Sequence, residues 1–178
     1  MLINSPSNPT GQSFSATELL RITGFCRAKN ITLTSDEIYS DLTFHEEDRT
    51  TPCTKENFNL GRMILTGGMS KTYSAGGWRI GYAIFPDTTF GTTVLKTTLA
   101  YASECWSAAS APAQEAAAVA FDIRPEMDLY RKQVTHSHQY CTAALFKTLT
   151  DCGLAVTPPK GGFYLYPSFH PEIYGACR

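Results

Sequence analysis

Apolar positions along this chain alternate between the two-residue period of a half-buried strand and the three-to-four-residue period of an amphipathic helix. A short apolar run, Met1-Leu2-Ile3, leads into the turn-rich stretch Asn4-Ser5-Pro6-Ser7-Asn8-Pro9-Thr10-Gly11. Ser15-Ala16-Thr17-Glu18 has the form of a capping box, and Leu19, Ile22 and Cys26 then share one face of a helix reaching about Lys29. The β-branched Ile31-Thr32-Leu33-Thr34-Ser35 predicts a strand, completing a strand–helix–strand crossover. This alternation argues for an α/β fold in which a mostly parallel sheet is flanked by helices.

Residues 43–59 are polar and turn-rich. Strands are predicted around residues 63–66 and over 79–85, separated by a loop of small residues. Residues 88–122 are mainly helical in pattern, with Pro112 near the start of a new helix behind Ser110 as its cap. Pro125, Glu126 and Asp128 open another helix. Along it Met127, Tyr130, Val134, Cys141, Leu145 and Leu149 recur at helical spacing until Gly153, a left-handed cap. Residues 154–156 and 163–166 read as strands around Pro158-Pro159-Lys160-Gly161-Gly162. Gly161-Gly162-Phe163-Tyr164 itself reads as a bulge or hairpin rather than a ligand contact.

The chemistry centres on Lys71, in Gly67-Gly68-Met69-Ser70-Lys71-Thr72-Tyr73-Ser74-Ala75-Gly76-Gly77-Trp78-Arg79-Ile80-Gly81. A free lysine amine, with a pKa of about 10.4, is a poor nucleophile at neutral pH. As a Schiff base with a carbonyl cofactor it becomes an exchangeable covalent handle and a base. The glycines admit a bulky ligand close to the backbone, and Arg79 offers a charged fork for a phosphate. A triphosphate-binding loop would need glycine immediately before the lysine and again upstream, where Ser70 and Leu65 stand. That alternative fails. Asp36 sits just past a predicted strand end, where open α/β sheets bind ligands. A carboxylate there can keep a heteroaromatic nitrogen protonated, with Tyr39 close enough to reach a ring oxygen. Taken alone, Asp36 reads as a helix cap and the Asn8 turn as an ordinary loop.

Together, Asn8-Pro9-Thr10-Gly11, Asp36-Glu37-Ile38-Tyr39 and the Lys71–Arg79 segment resemble the class I/II aminotransferases of the fold-type I pyridoxal-phosphate enzymes, related to aspartate aminotransferase. The resemblance implies a large cofactor-binding domain, present in part over residues 1–125. Residues 126–178 would then be a linking helix and the beginning of a small domain. It implies pyridoxal 5'-phosphate as cofactor, with Lys71 forming the Schiff base and shuttling the α-proton. Asp36 would pair with the pyridinium nitrogen, Asn8 and Tyr39 would bond the ring oxygen, and Arg79 with Ser70 would hold the phosphate. Gly68 departs from the hydroxyl residue that many relatives carry three positions before the lysine. Amino acid and 2-oxo acid would be the substrates and a homodimer the full-length form, with residues 101–112 near its interface. Carbon–sulfur lyases, ring-forming synthases and non-catalytic ligand-binding modules share the scaffold.

Members of that family are longer. The chain therefore reads as a central portion, without the N-terminal part of the phosphate cup and the C-terminal arginine that grips the substrate carboxylate. The expectation is an aminotransferase-type site with little or no turnover in isolation, because orientation contributes about 7–11 kcal/mol only when the reacting geometry is held. An unpaired sheet edge and open apolar faces should accompany it.

Composition changes this picture little. With 178 residues, 43% hydrophobic and 17% charged, the chain can bury a core. A net charge of −1 argues against a nucleic-acid surface, and no apolar run reaches membrane-spanning length. No secretory signal is evident, so a cytoplasmic location is expected. Cys26, Cys53, Cys105, Cys141, Cys152 and Cys177 are scattered and expected to be reduced. His136 and His138 fall on different helix faces, and no metal site is expected.

Overall fold

The computed structural model describes residues 1–54, 58–59 and 61–169. Cys177 and the last residues of the expected second domain lie outside them. Four strands, β1 (Leu2–Asn4), β2 (Leu33–Asp36), β3 (Met63–Gly68) and β4 (Gly81–Ile84), form one sheet in that order. The first three run parallel, with Asn4 opposite Asp36 and Asp36 opposite Thr66. Strand β4 returns antiparallel to β3, placing Gly68 opposite Gly81.

Helix α1 (Ala16–Ala28) connects β1 to β2 and starts where the sequence predicts. The Ser15 hydroxyl accepts from the Glu18 amide while the Glu18 carboxylate accepts from the Ser15 amide. Leu19 and Cys26 turn inward onto Ile3, Leu33 and Met63, giving one core between α1 and the sheet. A second, smaller core joins Met69 and Ile80, either side of the loop after β3, to Ala113, Ala117 and Ala120 of α3 (Ala111–Phe121). The small alanine side chains let the helix approach this loop closely.

Helices α2 (Thr89–Cys105), α3 and α4 (Pro125–Asp151) follow the predicted order. Ser110 occupies the cap position of α3, but its side chain makes no capping bond. Gly153 adopts φ +81 after α4, the left-handed geometry expected of it. The apolar stripe read along α4 is only partly covered: Met127, Val134 and Leu149 are half-buried, Tyr130, Cys141 and Leu145 are exposed, and Thr142 is the helix's buried residue. Polar contacts dock the helix instead, with the Thr135 hydroxyl donating to the Asp41 carbonyl at 2.8 Å.

Two expectations are corrected. The strand predicted over 79–85 is shorter at its start, because Arg79 has φ +56, which no extended strand can accommodate. Residues 154–156 and 163–166 form no regular strands. Ala155 makes one isolated antiparallel bridge to Ser168, and Gly161 makes another to Thr43. Pro158, Pro159 and Pro167 lack the N–H groups that a continued ladder needs.

The pairing of β3 with β4 leaves no room for a side chain at Gly68. A Cβ there would stand 2.7 Å from the Ile80 carbonyl oxygen and 3.1 Å from the Gly81 Cα, both backbone atoms that cannot swing aside. In this chain a hydroxyl residue at that position would meet the neighbouring strand. Gly68→Ala should therefore destabilise the fold by about 1–3 kcal/mol. Gly77→Ala, with nothing within 4 Å of the added carbon, should stay within about 0.5 kcal/mol of wild type. Urea denaturation of the two variants checks this, and equal midpoints would contradict the steric account.

Candidate functional site

The carboxyl ends of β1, β2 and β3 lie at one edge of the sheet because the three strands are parallel. The Asn4–Gly11 turn, the Asp36–Tyr39 exit and the lysine loop all leave from that edge. Asn4 ties the first two together. Its Nδ2 donates to the Asp36 carbonyl at 3.0 Å and its Oδ1 accepts from the Asn8 amide at 2.8 Å. Sequence reasoning treated Asn4 only as part of a turn. Its position one residue before a Ser-Pro step is not distinctive enough to reveal the bridge.

Asp36 is the last residue of β2 rather than the first beyond it. Its Oδ1 accepts from the Thr66 hydroxyl at 3.3 Å and from the Ile38 amide at 3.4 Å. Among the described residues it has no cationic partner. The Glu37 amide donates to the Thr66 carbonyl at 2.8 Å, so the β2–β3 ladder persists one residue past Asp36.

Lys71 lies in the turn that follows β3. The turn is closed by hydrogen bonds from the Ser74 amide to the Lys71 carbonyl and from the Ala75 amide to the Met69 carbonyl. Tyr73 fastens it to the helices: its hydroxyl donates to the Ala120 carbonyl at 2.7 Å and accepts from Arg131 Nη1 at 2.9 Å. The ammonium of Lys71 stands 5.7 Å from the ring centre of Tyr39 and 5.7 Å from that of Phe163. Both lie within cation–π range, worth about 0.5–1 kcal/mol at an accessible site. Neither ring ties the amine down by a hydrogen bond.

Tyr39 is buried, and its hydroxyl lies 2.6 Å from that of Tyr164. Its ring meets those of Phe163 and Tyr164 edge to face. The 158–164 segment is thus part of the site, brought in by the Lys160 amide bonding the Gly11 carbonyl and the Gly162 amide bonding the Leu42 carbonyl. Reading Gly161-Gly162-Phe163-Tyr164 as a bulge or hairpin missed this. The left-handed φ of +71 at Gly162 is the local feature that the Gly-Gly pair did signal.

The remaining predicted residues lie on the loops of the same edge. Asn8 and Arg79 are exposed and Ser70 is half-buried. Arg79 Nη1 donates to the Gly76 carbonyl at 3.0 Å, and no carboxylate among the described residues pairs with it. The side chains of Lys71, Asn8 and Ser70 make no protein hydrogen bond among the described residues. An uncompensated carboxylate, an unbonded amine and an arginine without an acid fit a ligand with a ring nitrogen, a carbonyl and an anionic group. Among the described residues there is no cluster of His, Cys, Asp or Glu that could hold a metal ion, and no helix long and apolar enough to cross a membrane.

Comparison with known proteins identifies the family. The family model described as "Aminotransferase class I and II" matches residues 1–176. The aspartate aminotransferase of Geobacillus stearothermophilus is 32% identical over 168 residues, covering 94% of this chain and 41% of the relative. A probable N-acetyl-LL-diaminopimelate aminotransferase of Bacillus subtilis is 32% identical over 164 residues, covering 92% and 38%. A Thermus thermophilus aspartate aminotransferase single mutant superposes with a TM-score of 0.85 at 26% identity, covering 96% of this chain and 42% of that one. The chain thus spans about two fifths of the length of the relatives it matches.

Two tests of the site's framework follow from these contacts. Asn4→Ala leaves the Asp36 carbonyl and the Asn8 amide without their shared partner, and should cost about 1–2 kcal/mol. Hydrogen exchange at the Asn8 amide should quicken in the variant, and unchanged exchange would mean that the bridge does not hold the turn. The second concerns Glu37, whose burial holds its carboxyl above the ordinary glutamate range against the opposing Thr51 and Ser35 hydroxyls. The folded state then binds that proton more tightly than the unfolded chain does. Stability is lost as pH rises from the ordinary range through the raised folded value. Glu37→Gln keeps an acceptor for both hydroxyls, so between about pH 4 and pH 7 its denaturation midpoint should move less than that of wild type.

Proposed function

Because the chain belongs to the class I and II aminotransferases, we propose that it carries the cofactor-binding centre of a pyridoxal-phosphate-dependent aminotransferase. The reaction is amino-group transfer between an amino acid and a 2-oxo acid. The observation that carries this reading is the convergence of Lys71, Asp36 and Tyr39, from two strands, on one edge of a parallel sheet. Residues 1–125 would form the cofactor-binding part, with residues 126–178 leading into a second domain.

When bound, pyridoxal phosphate supplies an aldehyde that condenses with amines and a ring that accepts the electron pair released when a bond to Cα breaks. Lys71 is the amine that anchors it, held in reach by the turn and by the Tyr39 and Phe163 rings. The Lys71 Nζ would also be the base that carries the substrate Cα proton. Asp36, with its Oδ1 oriented by Thr66 and Ile38, would hold a proton on the ring nitrogen. Asn8 and Tyr39 would donate to the ring oxygen, and Arg79 with Ser70 would bind the phosphate. The exposed Tyr101 and Trp106 support a pairing face for a homodimer.

Addition of pyridoxal phosphate to the full chain should produce a visible absorbance band that Lys71→Ala abolishes. Asp36→Asn should keep the band while weakening uptake roughly ten- to a hundredfold, the scale of one charge-assisted hydrogen bond. A band of equal strength in Lys71→Ala would overturn the assignment.

A further inference from the structure

We propose that Tyr164 is a positioning residue of this site: its hydroxyl donates to the Tyr39 hydroxyl and thereby sends the Tyr39 proton toward the ligand's ring oxygen. The inference rests on the proposed function, and deepens it by assigning a role to a residue from the far end of the chain. Two phenols whose oxygens stand 2.6 Å apart share one hydrogen bond. One proton serves the contact and the other is free to point elsewhere. Burial, and then the bond to Tyr39, push the Tyr164 phenol up to about 12 against the opposing charge of Lys71. The Tyr164 proton is therefore present at neutral pH. An acceptor beside Tyr39 selects the arrangement in which Tyr164 gives its proton to the contact and Tyr39 gives its own to the acceptor. In such a chain each bond strengthens the next by polarisation.

The backbone shows that the pair is built rather than incidental. Gly162 bends with φ +71, and a Cβ there would lie 3.5 Å from a ring carbon of Tyr164 and 3.8 Å from one of Tyr39. The Tyr164 carbonyl lies 2.7 Å from where a Cβ on Gly11 would stand, which fixes this segment against the Asn8 turn. Tyr39 itself is 3% exposed, so no bulk water replaces a lost partner freely.

Tyr164→Phe keeps the ring packing and removes only the hydroxyl. In the pyridoxal-phosphate-loaded full chain, a weaker Tyr39 donor leaves the ring oxygen more basic. The pH midpoint of the Lys71-dependent visible band should then rise by about half a unit, roughly threefold in proton affinity. In a Tyr39→Phe background the same substitution should cause no further shift. A wild-type band with an unchanged midpoint in Tyr164→Phe overturns the inference and leaves the aminotransferase reading intact. Absence of a Lys71-dependent band in wild type overturns both. Phenol titration of the cofactor-free chain by ultraviolet absorbance is an independent check that needs no loaded site. One phenol should titrate near 12, disappear in Tyr164→Phe and move lower in Tyr39→Phe. An unmoved phenol in Tyr39→Phe would show that the two hydroxyls are not coupled, and the inference would fall.

Discussion

The parallel pairing of β2 on β3 is the constraint on which the site depends. Parallel neighbours end at the same edge of a sheet, so the chain leaving Asp36 and the chain leaving Gly68 emerge side by side. Register does the rest. Asp36 stands opposite Thr66, and the bond from the Glu37 amide to the Thr66 carbonyl extends the ladder past the strand end. A slip of one residue would turn Asp36 to the other face of the sheet and lose its bond to the Thr66 hydroxyl. Acid and amine are thus juxtaposed by backbone hydrogen bonds and not by an ion pair between them. Each keeps its charge available for something else.

A ladder sets where the lysine loop begins, but not its shape. Met69 and Ile80 bracket the loop and sink into α3, while Tyr73 reaches the Ala120 carbonyl and receives Arg131 from α4. Between these fixed points Ser74 and Arg79 are held at φ +52 and φ +56, a conformation non-glycine residues adopt at a cost of about 1–3 kcal/mol. The small second core and the tyrosine contacts offset that strain.

Much of this was legible in the sequence, for identifiable reasons. The capping box of α1, the strand leading to Asp36 and the loop of small residues around Lys71 are local patterns whose chemistry acts within a few residues. The order of the first two strands with their crossover helix implied a parallel sheet, and that implication placed Asp36 where such sheets bind ligands. Tyr164 was not legible, because 125 positions separate it from Tyr39 and only folding brings the hydroxyls together. The segments around 155 and 165 misled because their apolar composition favours strands, while flanking prolines and the absence of long partners leave single bridges. The α4 stripe misled differently. Its helical period was real, yet the face that docks carries Arg131 and Thr135, which bond the Tyr73 hydroxyl and the Asp41 carbonyl.

That polar docking bears on how the site is completed. Tyr39 belongs to the exit of β2, Lys71 to the exit of β3 and Tyr164 to the segment after α4, and the three meet around one aromatic cluster. The segment after α4 is attached by backbone bonds to Gly11 and Leu42 and by the part-buried Lys160–Asp48 ion pair, outside either apolar core. Each such hydrogen bond contributes about 0.5–1.5 kcal/mol net. The apolar cores fix Lys71 and Asp36, whereas the aromatic wall formed by Phe163 and Tyr164 hangs on exchangeable hydrogen bonds. The permanent half of the site therefore carries the charges, and the separable half carries the groups that orient Tyr39 and enclose the amine.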